Sequence, residues 1–165
     1  MTGNAGVERT GRCLCGAVTF KATPQQHDDG LHVDVCHCGM CRRLIGGPLM
    51  AVSLAGPPKI DNDAHLGVYS SSDWAERVFC KKCGSNLFYR FKDGTMHSVN
   101  AGALDDLSCA TFPVEIFIDE KPDFYDFAGD RKRMTGAEVI AAFAGGETAS
   151  ASAAAGDAQA KNEKA

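Results

Sequence analysis

Seven of the eight cysteines of this chain stand in three short clusters: Cys13-Leu14-Cys15, Cys36-His37-Cys38-Gly39-Met40-Cys41 and Cys80-Lys81-Lys82-Cys83. In a reducing compartment, cysteines at this spacing are metal ligands rather than disulfides, and a bridge between the neighbours of Cys-x-Cys would be strained. The clusters divide into four ligands plus three. Four thiolates saturate a tetrahedral zinc ion and act as a structural staple, whereas three leave a fourth position at which water or a substrate can bind.

Cys80-x-x-Cys83 followed by Gly84 has the form of a zinc knuckle, in which a tight turn presents two sulfurs and the glycine relieves the backbone behind the second ligand. A knuckle supplies half a tetrahedron. Cys13-x-Cys15 followed by Gly16 is the natural complement, so Cys13, Cys15, Cys80 and Cys83 are assigned to a structural zinc that closes a loop of more than sixty residues. Cys36, Cys38 and Cys41 remain as a local trio that one loop can wrap round a second, open and labile zinc. His37 lies between two ligands, where joining the same ion is awkward, and is placed behind the site as a hydrogen-bonding partner or as an ordinary polar loop residue.

A dication on three thiolates keeps a net negative charge and is a weaker Lewis acid than zinc on neutral histidines. Exchange of a thiolate, or handling of an electrophile that adds to sulfur, suits it better than activation of water. Arg42 and Arg43 directly follow Cys41 and are placed to offset that charge and attract an anionic substrate. Zinc is preferred to iron for its closed-shell fit to four thiolates.

With 165 residues, 44% hydrophobic and 23% charged, the chain has the composition of an ordinary soluble protein of one domain. Zinc crosslinks would add to the limited core of a chain this size. A net charge of −4 and a pI near 5.7 argue against a nucleic-acid or anionic-membrane surface. Arg131-Lys132-Arg133, the densest basic run, reads as a solvated turn. Residues 1–10 are polar and carry no apolar stretch of the signal-peptide kind, and no segment is long enough to cross a bilayer, so cytoplasmic residence is expected.

Short β-prone runs, 17–20, 32–35, 49–52, 77–79, 87–89, 97–99 and 114–118, are separated by turn signals such as Gly46-Gly47-Pro48, Gly56-Pro57-Pro58 and Asp93-Gly94. They predict a mainly β fold of antiparallel strands. One segment reads as helix, from Gly136 to Phe143, with Thr135 as cap and Glu138 completing a capping box. Residues 147–165 are Ala, Ser, Gly and charges, the composition of a mobile tail. The boundaries expected are an extension over 1–9, a zinc-binding domain over 10–128, a C-terminal extension with the short helix over 129–146, and that tail. Cys109 has no partner nearby and reads as a buried, inert thiol. Trp74, Phe88, Tyr89 and Phe91 read as core or pocket wall.

The ordered motifs Gly11-x-Cys13-x-Cys15-Gly16-Ala17-Val18-x-Phe20, Cys36-His37-Cys38-x-Met40-Cys41-Arg42 and Tyr69-x-Ser71-Ser72-x-Trp74-Ala75-Glu76-Arg77-x-Phe79-Cys80-x-x-Cys83-Gly84 resemble the glutathione-dependent formaldehyde-activating enzyme (GFA) family, also called the centromere-protein-V group. Gly102-Ala103-Leu104-Asp105 and Ile116-Phe117-Ile118-x-x-Lys121 extend the likeness, which covers roughly 10–127. The resemblance implies an Mss4-like zinc-binding fold, a structural zinc at Cys13, Cys15, Cys80 and Cys83, and a catalytic or exchangeable zinc at Cys36, Cys38 and Cys41. It also implies addition of glutathione sulfur to formaldehyde, giving S-hydroxymethylglutathione, with carbon-sulfur lyase activity in reverse. The expected partners are a small thiol such as glutathione and an aldehyde. Where many members carry a histidine before the Ile-Phe pair of the late strand, this chain has Glu115, so no role is carried over to that position. Three readings compete with the enzyme: a non-catalytic glutathione or zinc carrier, a protein-interaction module suggested by the fold alone, and methionine-sulfoxide reduction, which is known on a related fold but for which Cys109 lacks the surrounding arginine and asparagine pattern.

Overall fold

The short alternating runs do form strands, in a computed structural model that describes residues 6–145. Strands β1 (Arg9–Arg12), β2 (Thr19–Ala22), β3 (Leu31–His32) and β4 (Asp34–Cys36) lead into helix α1 (Gly39–Ile45). After it come β5 (Leu49–Ser53), β6 (Lys59–Ile60), β7 (Leu66–Ser70), β8 (Ala75–Cys80), β9 (Asn86–Phe91), β10 (His97–Asn100) and β11 (Ala110–Thr111). The last elements are β12 (Val114–Ile116), β13 (Lys132–Met134) and α2 (Gly136–Gly145). The architecture is mainly β, as the sequence predicts, with two helices where the sequence predicts one. The tail expected over 147–165 lies outside the described residues.

The chain divides into two compact units. The first, residues 6–33 and 50–111, holds the antiparallel run β5-β10-β9-β8-β7, the antiparallel three-stranded sheet β1-β2-β6, and the short parallel pair β3 and β11. Its core draws on both sheets: Val18, Phe20 and Ala22 meet Val52, Val78, Leu87, Phe88 and Val99. Phe20 and Phe88 pack edge to face at 4.7 Å, the geometry that aromatic quadrupoles favour. Cys13 and Cys80 belong to this core, so the sulfur cluster is rooted in the apolar packing.

The second unit, 34–49 and 112–145, is built differently. Here β12 pairs in parallel with β4 on one side and β13 on the other, an addition to the antiparallel pattern expected. The apolar run 114–118 was expected to stay extended to its end, but the strand stops at Ile116 because Phe117 turns into the left-handed region at φ 57. A 3-10 turn, Ile118–Glu120, follows.

Helix α2 begins as its sequence predicts. Thr135 N–H donates to Glu138 Oε2 at 2.7 Å and Glu138 N–H donates back to Thr135 Oγ1 at 3.3 Å, the reciprocal bonds of a capping box. Arg131-Lys132-Arg133 was expected to be a solvated turn and is instead the entry to β13, with the Arg131 side chain only 6% exposed. No helix among the described residues is long and apolar enough to cross a membrane.

Candidate metal centres

All eight cysteines are thiols without disulfide bonds. Four of them, Cys13, Cys15, Cys80 and Cys83, converge so that all four sulfurs lie within 4.8 Å of one another. Cys13 and Cys15 are 3.6 Å apart at sulfur, and Cys15 and Cys80 are 3.9 Å apart. A tetrahedral ion with zinc–sulfur bonds of about 2.3 Å would set its sulfurs about 3.8 Å apart, whereas a disulfide would need about 2.0 Å. The spacing fits ligands round a common centre and no bridge.

The turns that bring these sulfurs together are the two predicted knuckles. Cys13 N–H bonds to Val18 O and Gly16 N–H to Cys13 O, while Cys80 N–H bonds to Ser85 O and Gly84 N–H to Cys80 O. Both turns close with a glycine at positive φ, 75° at Gly16 and 77° at Gly84, a conformation costly for any side chain. Polar hydrogens also point at sulfur. Val18 N–H lies 3.3 Å from Cys13 Sγ, and the Ser85 hydroxyl lies 3.2 Å from Cys83 Sγ. The Ser85 hydroxyl, helped by backbone N–H groups, pulls the Cys83 thiol down to about 5, a group poised as thiolate.

The second group is Cys36, Cys38 and Cys41, whose sulfurs also lie within 4.8 Å of one another, in the second unit. Cys36 ends strand β4 beside Ile116 of β12. A single wrapping loop was expected here. Instead Cys38 is the N-cap of α1 and Cys41 lies in its first turn, with Cys41 N–H directed at Cys38 Sγ at 3.5 Å. Cys38 and Cys41 are buried and Cys36 is half-buried. The neighbouring sulfurs of Cys38 and Cys41, then burial, push the Cys36 thiol well up. Three sulfurs so crowded resist ionising together, and a dication is the partner that such a donor set fits.

His37 stands between two of these cysteines and is fully buried. Its Nε2 meets Glu115 Oε2 at 2.8 Å and its Nδ1 meets the Tyr125 hydroxyl at 2.8 Å. Both ring nitrogens are therefore engaged away from the sulfurs. Glu115 is equally buried, and its other oxygen accepts from Arg131 Nη1 at 3.0 Å and Arg133 Nε at 3.3 Å. Burial alone would raise the Glu115 carboxyl, but hydrogen bonds from His37, Arg131 and Arg133 outweigh it and hold it below the usual range.

Glu115, Tyr125, Arg131 and Glu120, whose Oε2 accepts from Gly39 N–H at 2.6 Å, are residues near the trio that the sequence does not disclose. The one available signal is a carboxylate flanked by apolar β-formers in Val114-Glu115-Ile116, since a charge in such a setting needs a buried partner. Arg42 is half-buried, with its Nε donating to His37 O at 2.8 Å, and Arg43 is exposed on the last turn of α1.

Cys109 departs from expectation. It is exposed, with φ 61, in the turn that delivers its carbonyl to Leu31 N–H. Trp74, Tyr89 and Phe91 form an edge-to-face aromatic group, and Phe88 joins the core.

Comparison with known proteins agrees with the sulfur pattern. A Schizosaccharomyces pombe protein named as an uncharacterized lyase is 36% identical over 134 residues, covering 81% of this chain and 95% of the relative. A crystal structure of a Rhodobacter sphaeroides protein shares 24% identity over 58% of this chain and 87% of the other, with a TM-score of 0.44, too slight a likeness to bear on the fold. The model of one family, described as glutathione-dependent formaldehyde-activating enzyme, matches residues 8–120, a span that includes all seven clustered cysteines. The chain belongs to the glutathione-dependent formaldehyde-activating enzyme family.

Proposed function

We propose that this protein is a zinc-dependent lyase acting on the carbon–sulfur bond of a thiol–aldehyde adduct, with S-hydroxymethylglutathione or a close analogue as substrate. The observation that carries the reading is the trio: three sulfurs from six consecutive residues converge in a set that leaves a tetrahedral ion one ligand short. The family's description supplies glutathione and formaldehyde, and the fission-yeast relative's name supplies the lyase class. Cytoplasmic residence suits eight unbridged thiols.

In this reading Cys13, Cys15, Cys80 and Cys83 hold a structural zinc, and Cys36, Cys38 and Cys41 hold the second, exchangeable ion. In the adduct-forming direction the thiol sulfur bonds to the carbonyl carbon, the carbonyl π pair becomes a hydroxyl, and the proton lost by the thiol ends on that oxygen. The lyase direction is the reverse. A dication bound by the trio supplies a soft Lewis acid with an open position. Arg42 and Arg43 contribute positive charge that draws in a carboxylate-bearing thiol, and holding the two reactants side by side supplies most of the acceleration.

The test is the rate of S-hydroxymethylglutathione formation and breakdown, followed by NMR above the uncatalysed background, for the wild type and Cys38→Ala. Identical rates in the two proteins sink the enzyme. Freshly purified protein is expected to carry two zinc ions, one of which is released by millimolar glutathione.

A further inference from the structure

The residue between two members of the trio is fixed at every polar atom it has. His37 N–H donates to Ile116 O at 3.0 Å, and His37 O accepts from Arg42 Nε at 2.8 Å. The ring is held at Nε2 by Glu115 and at Nδ1 by Tyr125, both at 2.8 Å. Fixing His37 at four points fixes the backbone that carries Cys36 on one side and Cys38 on the other.

The arrangement is expensive to maintain for packing alone. A fully buried carboxylate carries a large desolvation cost, and apolar residues of the same shape would usually serve stability as well or better. Glu115 is kept charged by two guanidiniums, one of them almost fully buried. Arg133 also pairs with Asp126 at 3.5 Å, so the two guanidiniums are matched by two carboxylates and the network is balanced in charge.

We propose that Glu115 is a positioning residue for a metal ion held by Cys36, Cys38 and Cys41, acting through His37, which it locks between the first two ligands. The inference rests on the reading of the trio as a metal site. Hydrogen-bonded partners behind metal ligands commonly govern affinity about 10- to 100-fold, and here the partner acts on the ligands' shared backbone rather than on a ligand atom.

The test uses the full chain loaded with Co2+, whose thiolate charge-transfer and ligand-field bands report each site. Affinities come from competition with a chromophoric chelator. Cys38→Ala marks the loss of the second equivalent. Glu115→Gln, which keeps the shape and removes the charge, is expected to weaken the second equivalent about 10- to 100-fold and shift its bands, with the first equivalent unchanged as internal control. Because Glu115→Gln strands Arg131 in the interior, Tyr125→Phe is the milder variant: it removes one hydrogen bond to His37 and should weaken the same equivalent by a smaller factor. Wild-type affinity and bands for the second ion in Tyr125→Phe and in any folded Glu115→Gln overturn the proposal. A wild type that binds no more cobalt than Cys38→Ala overturns it differently, by removing the metal site on which it rests.

Discussion

The four-sulfur cluster brings together segments 65 residues apart, as the Cys15–Cys80 contact shows, and the stability that the proposed zinc would confer by tying them can be worked out. Cys15 is exposed and Cys83 half-buried, so the pair Cys15→Ala and Cys83→Ala removes one ligand from each knuckle with little loss of packing. Two ligands remain, too few to hold the ion. In the chain-entropy treatment of a crosslink, opening a loop of about 65 residues returns about 14 cal/mol/K to the unfolded chain, or about 4 kcal/mol at 25 °C. With an unfolding entropy of about 2.1 cal/mol/K per residue, that loss lowers the midpoint of a unit of about 90 residues by roughly 20 °C. The assay is a thermal melt of wild type and double variant, each with and without a strong chelator. Chelator should bring the wild type down close to the variant and leave the variant nearly where it was. A double variant that melts within about 3 °C of the wild type, or a wild type indifferent to chelator, would refute the crosslink, because a loop term of this size cannot be hidden in so small a unit.

Three further outcomes are expected. Glu138 is held below the usual glutamate range by the Thr135 backbone N–H and hydroxyl, so an NMR titration should give it a lowered pKa that returns toward normal in Thr135→Ala. Because the folded value is the lower one, the bond's contribution is fully present above the unfolded glutamate pKa and is lost as pH falls through the lowered value. Helix α2 should therefore fray in acid, read as faster amide exchange at Val139. Loss of the Thr135 cap at neutral pH should cost about 1 kcal/mol of local helix stability by the same exchange measurement. Gly84→Ala puts a side chain at φ 77 with open space around it, so it should cost about 1 kcal/mol through backbone strain while the four-sulfur site still takes up metal, checked by denaturant melts and cobalt binding. Phe20→Ala should cost about 3–5 kcal/mol in the same melts, since it opens the core opposite Phe88.

What the sequence discloses and what it hides have physical reasons. The knuckles at Cys13–Gly16 and Cys80–Gly84 are legible because spacing and the following glycine specify the turn by themselves, with no help from distant residues. The strands β5, β8, β9 and β10 are legible because each is long enough to show apolar enrichment. Strands β3, β6 and β11 are two residues long and have no period to detect. Helix α1 escapes because it lasts seven residues, starts at a glycine, and is capped by a thiol where Ser, Thr, Asp or Asn would be the recognisable signal. Strand β13 escapes for a different reason: its arginines look solvated until Glu115, 18 residues before Arg133, is found beneath them. Pairings of that kind are long-range, and a run of charges carries no mark of the partner it will meet.

The two sulfur groups differ in what loss of an ion would do to the chain, and this follows from sequence separation alone. In the proposed reading, removing an ion from the first group would open a long loop in the unit that contains the aromatic core, so retention of that ion and retention of the fold would be one equilibrium. The second group lies within six consecutive residues, where closure gains little because the unfolded chain already keeps those sulfurs near one another. Its geometry has to be held by other means, namely the cap of α1, the pairing of β4 with β12, and the hydrogen bonds on His37. A site supported this way can release its ion without unfolding the chain. That is the property required of a centre that must exchange a ligand at each turnover, and it is one a closed four-thiolate clamp does not have.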